Sequence, residues 1–343
     1  MPGPRLSRIA GLTAACLAAV ATSLLAQPDT GRTRVFKYLM GTSVRIEVYG
    51  GTPAVRQQAV DEAASAIAEV DRVMSDYRDD SELSRVNQSA ATRAVPVSEP
   101  LFAIVSAADR VARESNGAFD ITMRPLSVLW GLKSPTLRTP SPADLNAVRA
   151  LVNFRNVQLD ARARAVRLAV SGMALDLGSV AKGFAAEVAA GSLTRRGLSG
   201  VVDISGHQFI VGHPLGKTSW SVGIADPFRP ARLLGAVDLD RGGVSTTAAA
   251  ADDRPSGHSR RVLDPRTLQP AARCVSATVI STDGTLAQAL SNAACVLGAE
   301  AGFALIDRFP DTWAVIVVPK PDGSLGTSVS SGYARRFHPV DGR

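Results

Sequence analysis

Apolar side chains at Val55, Ala59, Val60, Ala63, Ile67, Val70 and Met74 recur at three- and four-residue spacing, so residues 53–74 read as an amphipathic helix. Before it, residues 33–49 read as two strands around a turn at Met40-Gly41-Thr42. After it, Ser75 to Asn87 is a polar stretch with no assigned element. A second helix is expected over 98–115, stopped by Asn116-Gly117. Ser141-Pro142-Ala143-Asp144 opens a third, with Ser as N-cap, Pro at the first position and Asp three residues after the cap. Residues 155–170 resemble a hairpin, and 178–196 a helix ended by Gly197. From 200 to 247 the pattern turns to strands, and Trp220 with Val222-Gly223-Ile224 reads as strand core. Residues 248–260 are small, polar and turn-rich, which predicts a mobile loop. A strand over Val275–Ser281, helices over Gly284–Leu297 and Ala301–Phe309, and a strand over Trp313–Val318 complete the pattern. Helices and hairpins mix without regular βα alternation, so the expected class is α+β with largely antiparallel sheet.

The N-terminus reads as a leader rather than as fold. Arg5 and Arg8 precede Ile9 to Ala26, which is uncharged and rich in Ala, Leu and Val. This is the form of a secretory signal peptide over 1–26, cut near Ala26, with an uncleaved anchor as the other option. Thr13-Ala14-Ala15-Cys16 is a poor lipobox, so a lipoprotein is not expected. Removing the leader lowers the formal charge from +7 to +5 by taking Arg5 and Arg8 away. It also leaves only Cys274 and Cys295, which an oxidising compartment would let pair; two buried thiols is the alternative. With four His, no CxxC and no HExxH, a zinc finger, a c-type haem site and a zincin are excluded. The Arg195-Arg196 and Arg335-Arg336 pairs are not interleaved with aromatics, so no nucleic-acid partner is expected.

Four segments are too polar or glycine-rich for simple core. Gly117-Ala118-Phe119-Asp120 is the first. The second is Asp176-Leu177-Gly178-Ser179-Val180-Ala181-Lys182-Gly183, a carboxylate and glycine before a helix, where free N–H groups and Lys182 would suit a phosphate. An N-capping Asp in a tight turn explains Asp176 equally well. Asp203-Ile204-Ser205-Gly206-His207 is the third, and Leu263-Asp264-Pro265-Arg266-Thr267 the fourth.

In order and spacing these segments resemble the ApbE-type FAD:protein FMN transferases over roughly residues 35 to 320. The resemblance runs through Met40-Gly41-Thr42, Ser75-Asp76-Tyr77-Arg78, Ser81 to Asn87, GAFDITMRPLSVLWG, ALDLGSVAKGFAAE, WSVGIADP, LDPRT and Ala287 to Gly298. It implies a T-fold-related α+β architecture over 27–332, followed by a C-terminal tail at 333–343. It implies FAD as substrate, Mg²⁺, and transfer of FMN to a Ser or Thr of a target flavoprotein with release of AMP. Residues implied at the FAD site are Met40, Tyr77, Ala118, Phe119, Asp120, Asp176, Lys182 and Leu263. The implied metal positions are Ser179, through its backbone oxygen, and Gln288, Ser291 and Asn292 on the late helix. Gln288 stands where the family pattern has Asp and Asn292 where it has Thr, so a weakened site is expected. Arg261 replaces the expected His beside Asp264 at the catalytic position; arginine cannot be a base near neutral pH. Thr246-Thr247-Ala248 and Ser205-Gly206-His207 depart from the family's Thr-Ser-Gly and Gly-Gly-Asp. Transfer, a catalytically impaired FAD-binding carrier or regulatory protein, and FAD pyrophosphate hydrolysis therefore remain open. The resemblance places the chain in the bacterial periplasm, touching a membrane only through its leader or a membrane-bound acceptor.

Overall fold

A computed structural model describes residues 29–134, 136–248, 262–320 and 324–340. The leader at 1–26, the loop through 249–260 with Asp252-Asp253, and Arg261 lie outside the described residues.

An eight-stranded sheet organises the chain, in the spatial order Arg32–Leu39, Thr42–Tyr49, Ser199–Ile204, His207–Val211, Gly242–Ala248, Ser276–Ser281, Thr312–Pro319, Leu325–Val329. Every neighbouring pair is antiparallel. The expected α+β class is what the chain adopts. Alternation along the strands splits the sheet's apolar residues between two faces. Val44, Ile46, Val48, Val202 and Ile204 join the main core. Val201, Ile210, Val244 and Ile280 face the other side, under a three-stranded sheet built from Trp220–Asp226, Arg229–Leu239 and Phe337–Pro339. Trp220 packs against this second cluster and meets Tyr49 edge-on, so its reading as strand core holds.

Eight helices are described, and all but the fourth and fifth join the main core on the first face. They are α1 (Pro53–Met74), α2 (Glu82–Ser89), α3 (Glu99–Glu114), α4 (Arg124–Leu129), α5 (Pro142–Val148), α6 (Ala181–Arg195), α7 (Gly284–Leu297) and α8 (Ala299–Ile306). The bounds of α1 and α7 are those the periodicity predicts, and Ser141 and Asp144 form the expected capping box of α5. A hairpin at Val157–Asp160 and Ala165–Leu168 also matches. α6 and α7 approach closely at two glycines: a Cβ on Gly183 would lie 2.1 Å from the Gly284 carbonyl oxygen. Any side chain there would push the helices apart.

Three expectations change. The polar Ser75–Asn87 stretch contains α2, whose N-cap Ser81 accepts the Ser84 amide at 2.9 Å and whose Leu83 and Val86 are buried. α6 begins at Ala181 rather than 178, with Val180 at its cap position, so Asp176 does not cap it. The expected C-terminal tail is not loose: Tyr333 is buried, and Phe337–Pro339 pairs with Gly235–Val237. The open alternative for the cysteines resolves to a Cys274–Cys295 disulfide.

Candidate active site

One end of the helical layer holds a cleft of about 460 Å³, of the size small-molecule sites take. Among the described residues its lining includes Met123, Ser127, Leu132, Ser134 and Leu137, and four walls carry the expected site residues.

The first wall is Ala118-Phe119-Asp120, at the exit from α3. Asn116 and Gly117 both take positive φ, which ends the helix and turns the chain inward. Ala118 and Phe119 are buried and line the cleft. Asp120 also borders it, but its carboxylate is spent inside the protein. Oδ1 accepts the Thr122 amide and hydroxyl, each at 2.7 Å, and Oδ2 accepts the Phe154 amide at 2.8 Å. Burial raises its pKa above the usual carboxylate range, against the lowering effect of these donors.

The second wall is the turn from Asp176 to Lys182. Asn87 fixes its approach, donating to the Leu175 carbonyl at 3.0 Å and accepting the Leu175 amide at 2.7 Å. Asp176 Oδ1 accepts the Gly178 amide at 2.9 Å, and Oδ2 pairs with Lys133 Nζ at 3.0 Å. Lys133 bridges to Asp76 at 2.8 Å, and Arg124 adds a contact to Asp76 at 3.3 Å. Burial pulls the Lys133 pKa down, but the two carboxylates outweigh it and the net shift is upward. Its ammonium also sits 4.6 Å from the centre of the Tyr77 ring, a cation–π contact. Tyr77 stands largely exposed at the rim.

Lys182, on the first turn of α6, differs from Lys133. It lines the cleft, and no carboxylate among the described residues pairs with it. Burial lowers its pKa. Behind it lies His207, whose Nδ1 is buried with no hydrogen-bond partner among the described residues, as is Oγ of its strand partner Ser245. Burial first, and then the Lys182 charge, push the His207 pKa down to about 3, so its imidazole is neutral near pH 7.

The third wall is α7. Asn292 reaches the cleft, as does Ser179 from the facing turn. Gln288 and Ser291 lie behind them, fully buried. Gln288 Oε1 accepts the Gly183 amide at 2.8 Å, and Nε2 donates to the Gly178 carbonyl at 3.0 Å. Ser291 Oγ donates to the Gln288 carbonyl at 2.9 Å and shares a hydrogen with Thr247 Oγ1 at 2.8 Å. Asn292 Nδ2 also donates to the Gln288 carbonyl, at 3.0 Å.

The fourth wall brings in Val262, Leu263 and Pro265. Trp130 Nε1 donates to the Leu268 carbonyl at 3.1 Å and holds this segment down. Asp264 is turned away: its carboxylate accepts the Arg266 amide at 3.0 Å and the guanidinium at 2.9 and 2.8 Å, and it does not line the cleft. Met40 does not line it either; it sits in the strand turn at positive φ and packs against the core.

The structure thus gathers Tyr77, Ala118, Phe119, Asp120, Asp176, Ser179, Lys182, Leu263 and Asn292 at one cleft and leaves Met40, Asp264, Gln288 and Ser291 off its surface. Lys133 is the charged residue of the described lining that sequence reasoning missed. Its only signal was its place just after the Trp130-Gly131 end of a motif segment. Aromatic and apolar groups, with one cation that no described carboxylate pairs, give the cleft the form of a site for a large anionic ligand.

Comparison with known proteins agrees. Residues 40–317 match the model of the ApbE family. The chain is 32% identical over 340 residues to the FAD:protein FMN transferase of Treponema pallidum (strain Nichols), covering 91% of this chain and 92% of that protein. It is 28% identical over 316 residues to a FAD:protein FMN transferase of Klebsiella pneumoniae (strain 342), covering 90% and 96%. The structure of the flavin transferase ApbE from Vibrio cholerae superposes with a TM-score of 0.80 at 26% identity, over 89% of this chain and 99% of that one. The apo form of the Pseudomonas stutzeri flavinyl transferase ApbE gives 0.79 at 28% identity, over 90% and 98%. The chain belongs to the ApbE family.

Proposed function

We propose that the cleft binds FAD and that the chain transfers FMN to a Ser or Thr hydroxyl of a target flavoprotein, releasing AMP. The relatives that match over most of the chain carry the name FAD:protein FMN transferase, which supports the reading. The observation that carries it is Lys182: an ammonium in the cleft that no described carboxylate pairs, beside a turn of small residues, in a lining that also holds Phe119 and Tyr77. A dinucleotide with flat rings joined by a pyrophosphate suits that division.

In the reaction, the acceptor oxygen bonds to the phosphorus on the FMN side of the pyrophosphate. The bond from that phosphorus to the bridging oxygen breaks, AMP leaves with that oxygen, and the hydroxyl proton passes to solvent. Lys182 offsets charge on the phosphoryl oxygens as they shift. Asp176, held by Lys133 and the Gly178 amide, presents a fixed acceptor for a ribose or adenine donor. The described residues at and behind the cleft do not fit Mg²⁺ well: the Asp176 charge is paired with Lys133, Asp76 is paired with Lys133 and Arg124 and does not line the cleft, Asp120 accepts three hydrogen bonds from the protein, and the buried Gln288 amide behind the cleft is used at both ends. No step is assigned to a cation here.

We further infer export to an oxidising compartment, the bacterial periplasm. The buried Cys274–Cys295 disulfide supports this, since such bonds are rare in reducing compartments. The target flavoprotein would be met there.

The test is incubation with FAD and an acceptor flavoprotein domain, following AMP and protein-bound flavin. Both should rise together and fall in Lys182→Met. FAD binding without AMP would leave a flavin carrier; AMP with free FMN and no labelled acceptor would indicate a hydrolase.

A further inference from the structure

The side chains around the Asp176–Gly183 turn have a bearing on how an anion is held there. Each carboxylate described at or beside the cleft has donors within the protein. Asp120 accepts from Thr122 and Phe154, Asp176 from Gly178 and Lys133, Asp76 from Lys133 and Arg124, and Asp264 from Arg266. Among the described residues no three of His, Cys, Asp and Glu cluster so as to hold a metal ion.

Gln288 fills the floor between the turn and α7. Gly183 is the third residue of α6, so its amide is one of the donors a helix leaves without an internal partner. The close Gly183–Gly284 contact seals that amide off, and Gln288 Oε1 satisfies it. The other end of the same amide, Nε2, donates to the Gly178 carbonyl, next to the Ser179 backbone oxygen that the resemblance implies as a metal position. Flipping the amide to offer its oxygen there would leave the buried Gly183 amide facing an NH₂ group, with both donors unpaired. Asn292 then contributes one neutral oxygen and Ser179 another, where Mg²⁺ takes one or two carboxylates in addition to phosphate and water.

We propose that this cleft binds the pyrophosphate of its ligand without a divalent cation, with Gln288 as an internal strut across the turn and the Lys182 ammonium as the countercharge. The proposal rests on the FAD reading above and departs from the Mg²⁺ that the family resemblance implies. Lys182 lies on the turn that Gln288 braces, so the strut also fixes where the ammonium enters the cleft.

FAD binding, followed by quenching of flavin fluorescence, tests this in EDTA and in excess Mg²⁺. Affinities equal within about twofold are expected. An affinity at least about tenfold higher with Mg²⁺ would overturn the proposal and leave the FAD reading standing. No FAD binding in either buffer would overturn both. Lys182→Met should weaken binding in EDTA by about tenfold or more, the range of a charge-assisted hydrogen bond, while Lys182→Arg keeps most of it. Unchanged binding in Lys182→Met would overturn the assignment of the countercharge. Melting gives a readout independent of ligand. Gln288→Glu keeps the length of the strut and its acceptor for Gly183, but sets a carboxylate oxygen beside the Gly178 carbonyl. Mg²⁺ should raise the melting temperature of Gln288→Glu and leave that of the parent unchanged. A Mg²⁺-dependent rise in the parent would contradict the proposal.

Discussion

Replacing both bridged cysteines, as Cys274→Ala with Cys295→Ala, opens a loop whose ends are 21 residues apart. For a loop of that length the chain-entropy relation gives about 3 kcal/mol of stabilisation lost, because the unfolded chain regains its freedom. At the melting entropy of a domain this size, that is a drop of about 5 °C in melting temperature. The bridge also joins two walls of the cleft. Cys295 precedes Val296, which lines it, and Cys274 closes the segment that begins with Val262 and Leu263. The variant should therefore bind FAD more weakly as well as melt earlier. Thermal and urea denaturation of parent and variant, with flavin fluorescence titration at a temperature where both are folded, make the measurement. A larger urea m-value in the variant would report the less compact unfolded state on which the argument depends. An unchanged melting temperature would refute the entropic argument. Lower stability with unchanged FAD affinity would refute the coupling to the cleft.

Other perturbations probe the remaining contacts. His207 has a folded pKa of about 3 against the ordinary 6.5, so the unfolded chain binds more protons between those values and stability falls as pH drops from 6.5 toward 3. The slope from this one group reaches at most about 1.4 kcal/mol per pH unit, and His207→Gln should flatten the acid limb by that amount; parallel acid limbs would sink it. Gly183→Ala should cost about 1–3 kcal/mol by driving α7 off α6, read as a lower urea midpoint; an unchanged midpoint would show the contact can relax. Lys133→Met leaves Asp76 and Asp176 side by side without their shared cation, at a cost of about 3 kcal/mol, and Asp176→Asn in the same chain should recover part of it. A double-mutant cycle with no coupling between the two positions would count against the bridge.

Much of the fold was legible because its signals are local. The stripes of α1 and α7 and the capping box of α5 depend on spacings of three and four residues that the sequence displays directly. α2 was missed because it is short and mostly polar, with only Leu83 and Val86 to mark its buried face. The strand order was not legible. Thr42–Tyr49 pairs with Ser199–Ile204 across a long stretch of intervening chain, and Phe337–Pro339 pairs with Gly235–Val237; nothing local encodes such partners. The site divides in the same way. Glycine turns and motif segments identified the stretches that wall the cleft, but residue type does not say where a carboxylate's partners lie. Asp120 and Asp264 looked available and are consumed by Thr122, Phe154 and Arg266. Gln288 looked like a weakened metal ligand, and the structure shows a side chain with both ends already hydrogen-bonded. Lys133 becomes visible only when Asp76 and Asp176, remote in sequence, are found on either side of it.

The central claim is that this cleft moves FMN from FAD onto a protein hydroxyl. Mass spectrometry of an acceptor flavoprotein domain, after incubation with FAD and either the parent or Lys182→Met, tests it most directly. The account predicts one FMN joined through phosphate to a Ser or Thr of the acceptor with the parent, and little or none with the variant. An acceptor that stays unmodified while the parent demonstrably binds FAD, or one labelled equally by Lys182→Met, would contradict it.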